Sequence, residues 1–331
     1  MRGLASLVPK NGSWGIRRAG QKILYNHRMN RRIFFLSAVL LSATFMAAAP
    51  AVAQNSAVTT DPAPDKANPA AMQSFQLPSH GALLNAFVYI ASGAGPHPTV
   101  ILLHGFPGNE RNLDLAQSIR RAGWNALYFD YRGSWGSPGE FSFTHCIEDT
   151  EAAIAYLRDS VHASAFRGDA KTIVLAGHSM GGFMAYQAGA RDAAVTAIIT
   201  ISAADLGAGR LQSTPADKRE LAVSGLAAVL EAENMAPLAG TTALSLANEV
   251  SANAAQWNFA SLAPKLAARP LLILTSDDGW AAANDALAAA VEGLGSQKVK
   301  AIHIATDHAY SDHRIALQQA VLDFLAQLRQ K

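Results

Sequence analysis

Short apolar runs alternate with amphipathic segments along most of the chain after residue 80. The apolar runs are bounded by glycine, aspartate and other polar residues, which is typical of buried strands. Strands are predicted at 82–92, 99–103, 124–129, 172–176, 195–201, 270–275 and 298–304. Apolar residues at helical spacing predict helices at 113–121, 147–157, 281–291 and 311–328, with one more that ends at 190. Strands that alternate with helices predict an α/β fold with a parallel sheet covered on both faces.

One segment, residues 205–264, breaks this alternation. It is rich in alanine and leucine, with helical spacing around 219–233 and 244–253. Active sites in parallel sheets lie at the carboxyl ends of the strands. We therefore expect a small helical cap inserted over that edge of the sheet.

Composition narrows the class of protein. The 331 residues are 50% hydrophobic and 16% charged, which is enough for a sizeable core and excludes a chain disordered throughout. The single cysteine excludes an intramolecular disulfide framework and a four-cysteine metal site. The net charge of +2 gives no nucleic-acid footprint, and no nucleic-acid partner is expected.

The charges are unevenly placed, because residues 1–53 carry eight basic residues and no Asp or Glu. A basic start, an apolar run at 33–49 and the ending Ala51-Val52-Ala53 predict a secretory signal peptide over residues 1–53. The protein is then exported, periplasmic or extracellular, without a membrane contact after cleavage. An uncleaved anchor is the alternative, and Met29 is a second possible start. Residues 54–78 predict a flexible linker ahead of a domain at 79–331.

The first candidate for chemistry is Ser179. The segment Gly177-His178-Ser179-Met180-Gly181 fits G-x-S-x-G directly between a predicted strand and a helix, the context that this motif needs. Two glycines permit a sharp turn that exposes the hydroxyl, and the helix presents its N-terminal amides near a developing negative charge. A glycine-rich turn without chemistry is the alternative interpretation.

A serine hydroxyl needs an adjacent base. His308 lies four residues past the predicted strand 298–304, in the loop before the closing helix, where an imidazole can reach the carboxyl edge of the sheet. His313 is the alternative, but it is predicted in the first turn of that helix with Ser311 as the cap. The five-residue spacing of His303, His308 and His313 does not favour a metal site, and none is expected.

Taken together, four segments resemble one family. They are the G-x-S-x-G turn, His104-Gly105-Phe106-Pro107-Gly108, Asp130-Tyr131-Arg132-Gly133-Ser134-Trp135-Gly136-Ser137, and the Asp and His segments near the C-terminus. In this order they resemble the α/β-hydrolase superfamily over about residues 80–330, nearest to its prolyl-oligopeptidase-like and dienelactone-hydrolase-like serine hydrolases. The resemblance implies a mostly parallel central sheet with helices on both faces, and a Ser-His-Asp triad. It says little about the substrate.

The resemblance also guides the choice of the acid. Asp277 and Asp278 both follow the strand 270–275, and the family's aspartate usually lies several residues beyond that strand. This favours Asp278, with Asp277 as the alternative; the other carboxylate then caps the helix from Ala281. For the oxyanion hole we expect the backbone amides of Phe106 and Met180.

Three further side chains are candidates for a substrate pocket: His104, Tyr131 and Trp135. Each also has a structural interpretation, in which His104 hydrogen-bonds its loop and the other two belong to a glycine-rich turn.

The expected function is a serine hydrolase that cleaves a carboxylic ester or amide through an acyl-enzyme on Ser179. The expected substrate is a small-molecule ester or a short peptide, and no cofactor is needed. One alternative is a serine aminopeptidase or acyl-peptidase, for which Glu231 and Glu233 could anchor the substrate amine. A non-catalytic binding protein with the same fold is the other.

Overall fold

The structure is a computed structural model, and it describes residues 56–207 and 214–329. The predicted signal peptide, residues 1–53, lies outside the described residues. In the described ranges, no helix combines the length and the apolar character that a membrane span requires.

The described residues form a single eight-stranded sheet in the order β1-β2-β4-β3-β5-β6-β7-β8. The strands are β1 Ala71–Ser79, β2 Ala82–Ile90, β3 His97–Leu103, β4 Asn125–Phe129, β5 Gly168–His178, β6 Ala197–Ile201, β7 Leu271–Thr275 and β8 Val299–His303. The hairpin β1–β2 joins β4 in antiparallel fashion, and every pairing from β4 through β8 is parallel. The predicted mostly parallel sheet is confirmed.

Helices cover both faces of the sheet. They are α1 Leu113–Arg121, α2 Phe143–Arg158, α3 Ser160–Ala165, α4 Met180–Arg191, α5 Arg219–Ala232, α6 Ala243–Trp257, α7 Ala263–Leu266, α8 Ala281–Gly293 and α9 Arg314–Leu328. Alternate residues of β5 enter two separate cores: Ile173 and Leu175 belong to the core that also contains residues of α2, α4 and α8, and Val174 belongs to the core that contains residues of α1 and α9. Burial on both faces explains the continuous apolar runs of the sequence.

The predicted linker 54–78 is wrong at its C-terminal end, because β1 starts at Ala71. This strand lies at the edge of the sheet, and most of its residues are exposed, among them Met72. Its inward face is short, so the alternation of apolar and polar residues is too brief to predict a strand. Upstream, Arg121 donates hydrogen bonds to the carbonyls of Ala57 (2.6 Å) and Val58 (3.0 Å), which holds this segment against α1.

The insertion between β6 and β7 contains α5 and α6, and α6 is held to the body of the domain. Glu249 of α6 accepts hydrogen bonds from the amides of Phe143 (3.0 Å) and Thr144 (2.8 Å), the first two residues of α2. A carboxylate stabilises the N-terminus of a helix because it pairs with free amides and with the positive end of the helix dipole.

The stretch between α5 and α6 is also fixed. The Trp135 amide donates to Pro237 O (3.0 Å), and the Ala239 amide donates to Gly133 O (2.7 Å). These backbone bonds attach the insertion to the loop that follows β4.

Candidate active site

Ser179 is the single residue between the end of β5 and the start of α4. Its backbone has φ 56° and ψ −121°, a strained conformation for a residue with a Cβ. A Cβ at Gly177 would collide with the Gly181 carbonyl, and a Cβ at Gly181 would collide with Leu103 O. The two glycines of the motif are therefore required by the close approach of three backbone segments.

The loop after β3 lies directly against this serine. A Cβ built on Gly105 would be 3.0 Å from Ser179 Cβ, so only glycine fits there without displacement. Within the described ranges, neither the Phe106 amide nor the Met180 amide donates a hydrogen bond. Two free N–H groups beside a serine are suited to binding an oxyanion.

Two side chains hold the outer part of this loop. Trp135 Nε1 donates to the Pro107 carbonyl at 2.7 Å. The Arg111 guanidinium stacks 4.5 Å above the Trp135 ring, a cation–π contact that restrains the indole.

The structure brings His308 and Asp278 together. His308 Nδ1 lies 2.7 Å from Asp278 Oδ2, with the Asp278 side chain only 4% exposed. The carboxylate can only accept, so Nδ1 carries the proton and Nε2 keeps a free lone pair for a proton transfer.

Asp278 is held as a carboxylate. Burial raises its pKa, but hydrogen bonds from His308, the Trp280 amide and two serine hydroxyls outweigh burial and hold the pKa well below the usual range. An ionised partner at neutral pH stabilises an imidazolium at His308.

The Ser179 hydroxyl itself makes no hydrogen bond to His308 within the part of the chain that the structure describes. The serine turn and the loop of His308 are connected through the residue before the serine, since His178 Nε2 is 2.8 Å from the His308 carbonyl oxygen. Catalytic hydrogen bonds commonly tighten only when substrate is bound.

The alternative acid and base form other pairs. Asp277 is 3.1 Å from His303 Nε2 with 65% of its side chain exposed, and His313 Nδ1 is 2.8 Å from Asp312. Neither takes part in the Asp278–His308 pair.

Two local expectations are wrong. Helix α9 begins at Arg314, so His313 precedes the helix and Ser311 does not cap it. Asp277 does not cap α8 either; it is Asp278 that accepts a hydrogen bond from the Trp280 amide at 2.9 Å.

The pocket candidates are less accessible than expected. His104 is 1% exposed and Tyr131 is fully buried, with their ring centroids 4.6 Å apart. Burial lowers the pKa of His104 to about 4, so its ring is neutral, and its Nδ1 lies 2.8 Å from Gly105 O. The burial of both rings favours the structural interpretation, in which His104 contacts its own loop and Tyr131 packs against the His104 ring. Trp135 is half-buried and acts through its hydrogen bond to Pro107.

An aromatic cluster that the sequence interpretation missed lies beside this loop. The Phe106 ring packs on Phe141 (5.9 Å between centroids) and Phe143 (6.1 Å), and Phe143 packs on Trp257 of the cap. The alternating apolar residues 141 and 143 were a usable signal, but their position beside residue 106 depends on the tertiary fold. Phe141 and Phe143 are buried, so they back the half-buried Phe106 ring and keep it in place beside the serine turn.

The two cap residues considered as an anchor for a substrate amine, Glu231 and Glu233, are both exposed. Groups of three or more His, Cys, Asp or Glu residues placed to bind a metal are absent from residues 56–207 and 214–329.

Both ends of the insertion meet at a buried carboxylate. Asp205 is 6% exposed and accepts hydrogen bonds from the amides of Gly207 (3.0 Å) and Phe259 (3.4 Å). Burial raises the pKa of Asp205 to about 6, since these two bonds only partly compensate for lost hydration.

This group makes stability depend on pH. An unfolded Asp ionises near pH 4, so the contribution of neutral Asp205 is full below about pH 4 and is lost as the pH rises to about 6. The loss is roughly 3 kcal/mol at 1.36 kcal/mol per pKa unit. Asp205→Asn cannot ionise, so it lacks this pH dependence. We expect the free energy of unfolding of the wild type minus that of the variant to fall by roughly 3 kcal/mol between pH 4 and 7. Urea unfolding across this range measures it.

Asp217→Asn is the control, because that side chain is exposed. It should follow the wild-type pH dependence. Parallel curves for wild type and Asp205→Asn would contradict the prediction.

A sequence model described as the alpha/beta hydrolase family matches residues 100–322. No curated protein matches the chain. Among solved structures, Est1E from Butyrivibrio proteoclasticus, with ferulic acid bound, is 19% identical with a TM-score of 0.56 over 77% of this chain and 99% of that one.

Two other solved structures share the architecture. The thermostable carboxylesterase EstE1, cloned from a metagenomic library, is 18% identical with a TM-score of 0.56, over 82% of this chain and 92% of that one. A carboxyl esterase from Bacillus coagulans is 16% identical with a TM-score of 0.58, over 78% and 99%. At these identities the likeness shows the fold.

Proposed function

The chain belongs to the alpha/beta hydrolase family, and from this membership we propose that it is an exported serine hydrolase that cleaves carboxylic esters through an acyl-enzyme on Ser179. The observation that carries the proposal is the 2.7 Å Asp278–His308 hydrogen bond at the same sheet edge as a strained serine turn with two free amides. Export is supported by the basic and apolar pattern of residues 1–53.

In the proposed mechanism, His308 Nε2 accepts the Ser179 proton as the hydroxyl oxygen attacks the ester carbonyl. The Phe106 and Met180 amides hydrogen-bond the negative oxygen of the tetrahedral intermediate. When the intermediate collapses, His308 returns the proton to the departing alcohol, which leaves an ester between Ser179 and the acyl group.

The second half repeats these roles with water. His308 takes a proton from the water as the water attacks the acyl-enzyme, and then returns it to Ser179 as the acid departs. Asp278 keeps the imidazole in one tautomer throughout and stabilises its charged form. A single donor of an oxyanion hole contributes on the order of 10²-fold to 10³-fold in kcat.

An ester is favoured over a peptide for two reasons. The half-buried Phe106 ring, which is backed by the buried rings of Phe141 and Phe143, is apolar, which suits an acyl chain or an aromatic acid. The carboxylates considered for an amine anchor, Glu231 and Glu233, are exposed to solvent. Three solved structures with the same fold add support: two are named as carboxylesterases, and the third, Est1E, holds ferulic acid, an aromatic acid.

A substrate panel tests this choice. We expect p-nitrophenyl acetate, butyrate and octanoate to be hydrolysed with kcat/KM at least about 10²-fold above that for alanyl and prolyl naphthylamides. An amine is a poorer leaving group than p-nitrophenolate, and the two candidates for an amine anchor, Glu231 and Glu233, are exposed. Enzyme preblocked with a fluorophosphonate gives the background. Faster turnover of the naphthylamides would favour the aminopeptidase, and no turnover of any substrate would favour the binding protein.

A further inference from the structure

His178 precedes Ser179 and lies outside the proton-transfer pair. Its side chain is buried, with the residue 5% exposed, and its Nε2 is 2.8 Å from the main-chain carbonyl of His308. A carbonyl only accepts, so Nε2 carries the proton and donates it. The two rings lie 4.7 Å apart between centroids.

The ring of His178 is neutral. Burial, followed by the nearby His308, lowers its pKa to about 4. Its Nδ1 is buried, and the described residues offer it no hydrogen-bond partner. The hydrogen bond from Nε2 to the loop that carries His308 is therefore the one that the buried His178 ring makes within the described residues.

Sheet pairing alone does not set the distance between nucleophile and base. Ser179 follows β5 and His308 follows β8, and the strands β6 and β7 separate these two in the sheet. In the described ranges, the His178–His308 bond is the hydrogen bond that joins residues 177–182 to residues 304–313. Asp278 holds the Nδ1 side of the His308 ring, but it lies on a third loop, after β7.

We propose that His178 is a positioning residue for catalysis: through the carbonyl of His308 it fixes the imidazole at the distance from Ser179 that proton transfer requires. The inference rests on the proposed function, because it deepens the role of the same site. His178 touches no reacting atom and acts through the backbone of the base. A displacement of a catalytic group by about 1 Å costs on the order of 10²-fold in rate.

Two amide variants of different length test the proposal. The Gln Nε2 of His178→Gln reaches about as far as the imidazole Nε2, whereas the amide of His178→Asn is one methylene shorter. We expect His178→Asn to lower kcat for p-nitrophenyl butyrate by roughly 10-fold to 100-fold with KM within about twofold, and His178→Gln to recover most of that loss. Rates are taken per site titrated with a fluorophosphonate, so unfolded protein does not count.

His97 offers a matched control. It is also buried, and its ring nitrogens lie 3.1 Å from Gly93 O and 3.3 Å from Gly123 O, in a different part of the chain. His97→Asn should lower the melting temperature without changing kcat. A kcat for His178→Asn within about twofold of wild type, or equal losses in both His178 variants, would overturn the proposal.

A spectroscopic readout separates this inference from the proposed function. The proton shared by His308 and Asp278 gives a far-downfield proton NMR signal, which should broaden or disappear in His178→Asn and persist in His178→Gln. An unchanged signal in His178→Asn would overturn the positioning role even in a protein that hydrolyses no ester. Absence of ester turnover in a wild type whose signal responds as expected would instead refute the proposed function alone.

Discussion

Ser179→Ala is expected to lower kcat for ester hydrolysis by about 10⁴-fold or more, because no other nucleophile replaces the missing hydroxyl and only binding and the oxyanion hole remain. The variant should stay folded, since alanine retains the Cβ that the turn already accommodates at φ 56°. Turnover of p-nitrophenyl butyrate, labelling by a fluorophosphonate and thermal melting give the three measurements.

Ser179→Gly is the companion variant. It should be equally inactive but more stable than Ser179→Ala by about 1 kcal/mol, because glycine adopts a positive φ without steric cost. Ester turnover that persisted in either variant would place the nucleophile elsewhere.

Removal of the acid–base pair should have the second largest effect. We expect His308→Ala and Asp278→Asn each to lower kcat by about 10³-fold to 10⁴-fold. The first variant lacks the group that accepts the Ser179 proton. The second lacks the charge that holds Nδ1 protonated and stabilises the imidazolium. Initial rates with p-nitrophenyl butyrate at saturation measure both.

The chain supplies matched controls for this pair. Asp277 contacts His303 and His313 contacts Asp312, so Asp277→Asn and His313→Ala should retain kcat within about twofold. If His313→Ala abolished turnover and His308→Ala did not, the assignment of the base would be wrong, and the same comparison between Asp277→Asn and Asp278→Asn tests the acid.

Most of the fold could be predicted because the central strands are buried on both faces. The run predicted at 172–176 lies within β5, and the glycines after it mark the turn to α4. The edge strand β1 was not predicted, because most of its residues are exposed and only its last few alternate between buried and exposed. Strands at a sheet edge give weaker sequence signals than strands inside it.

The site divides in the same way. The motif around Ser179 depends on neighbours in sequence, so it is visible in a single chain. The choice between Asp277 and Asp278 depends on which of two adjacent side chains turns toward a loop about 30 residues away. The roles of His178 and Asp205 depend on the order of strands in the sheet and on where the insertion returns to the body, which local spacing does not encode.

The bonds that attach the insertion to the body also define where recombination between homologous caps can take place. Residues 237–239 are joined to the loop after β4 by backbone bonds, and Glu249 is joined to the start of α2. A chimaera that exchanges only the part of the insertion ahead of residue 237, which includes α5, leaves both sets of hydrogen bonds unchanged. A chimaera that also exchanges α6 needs a carboxylate at the position of Glu249. Without it, the two hydrogen bonds to the start of α2 are lost.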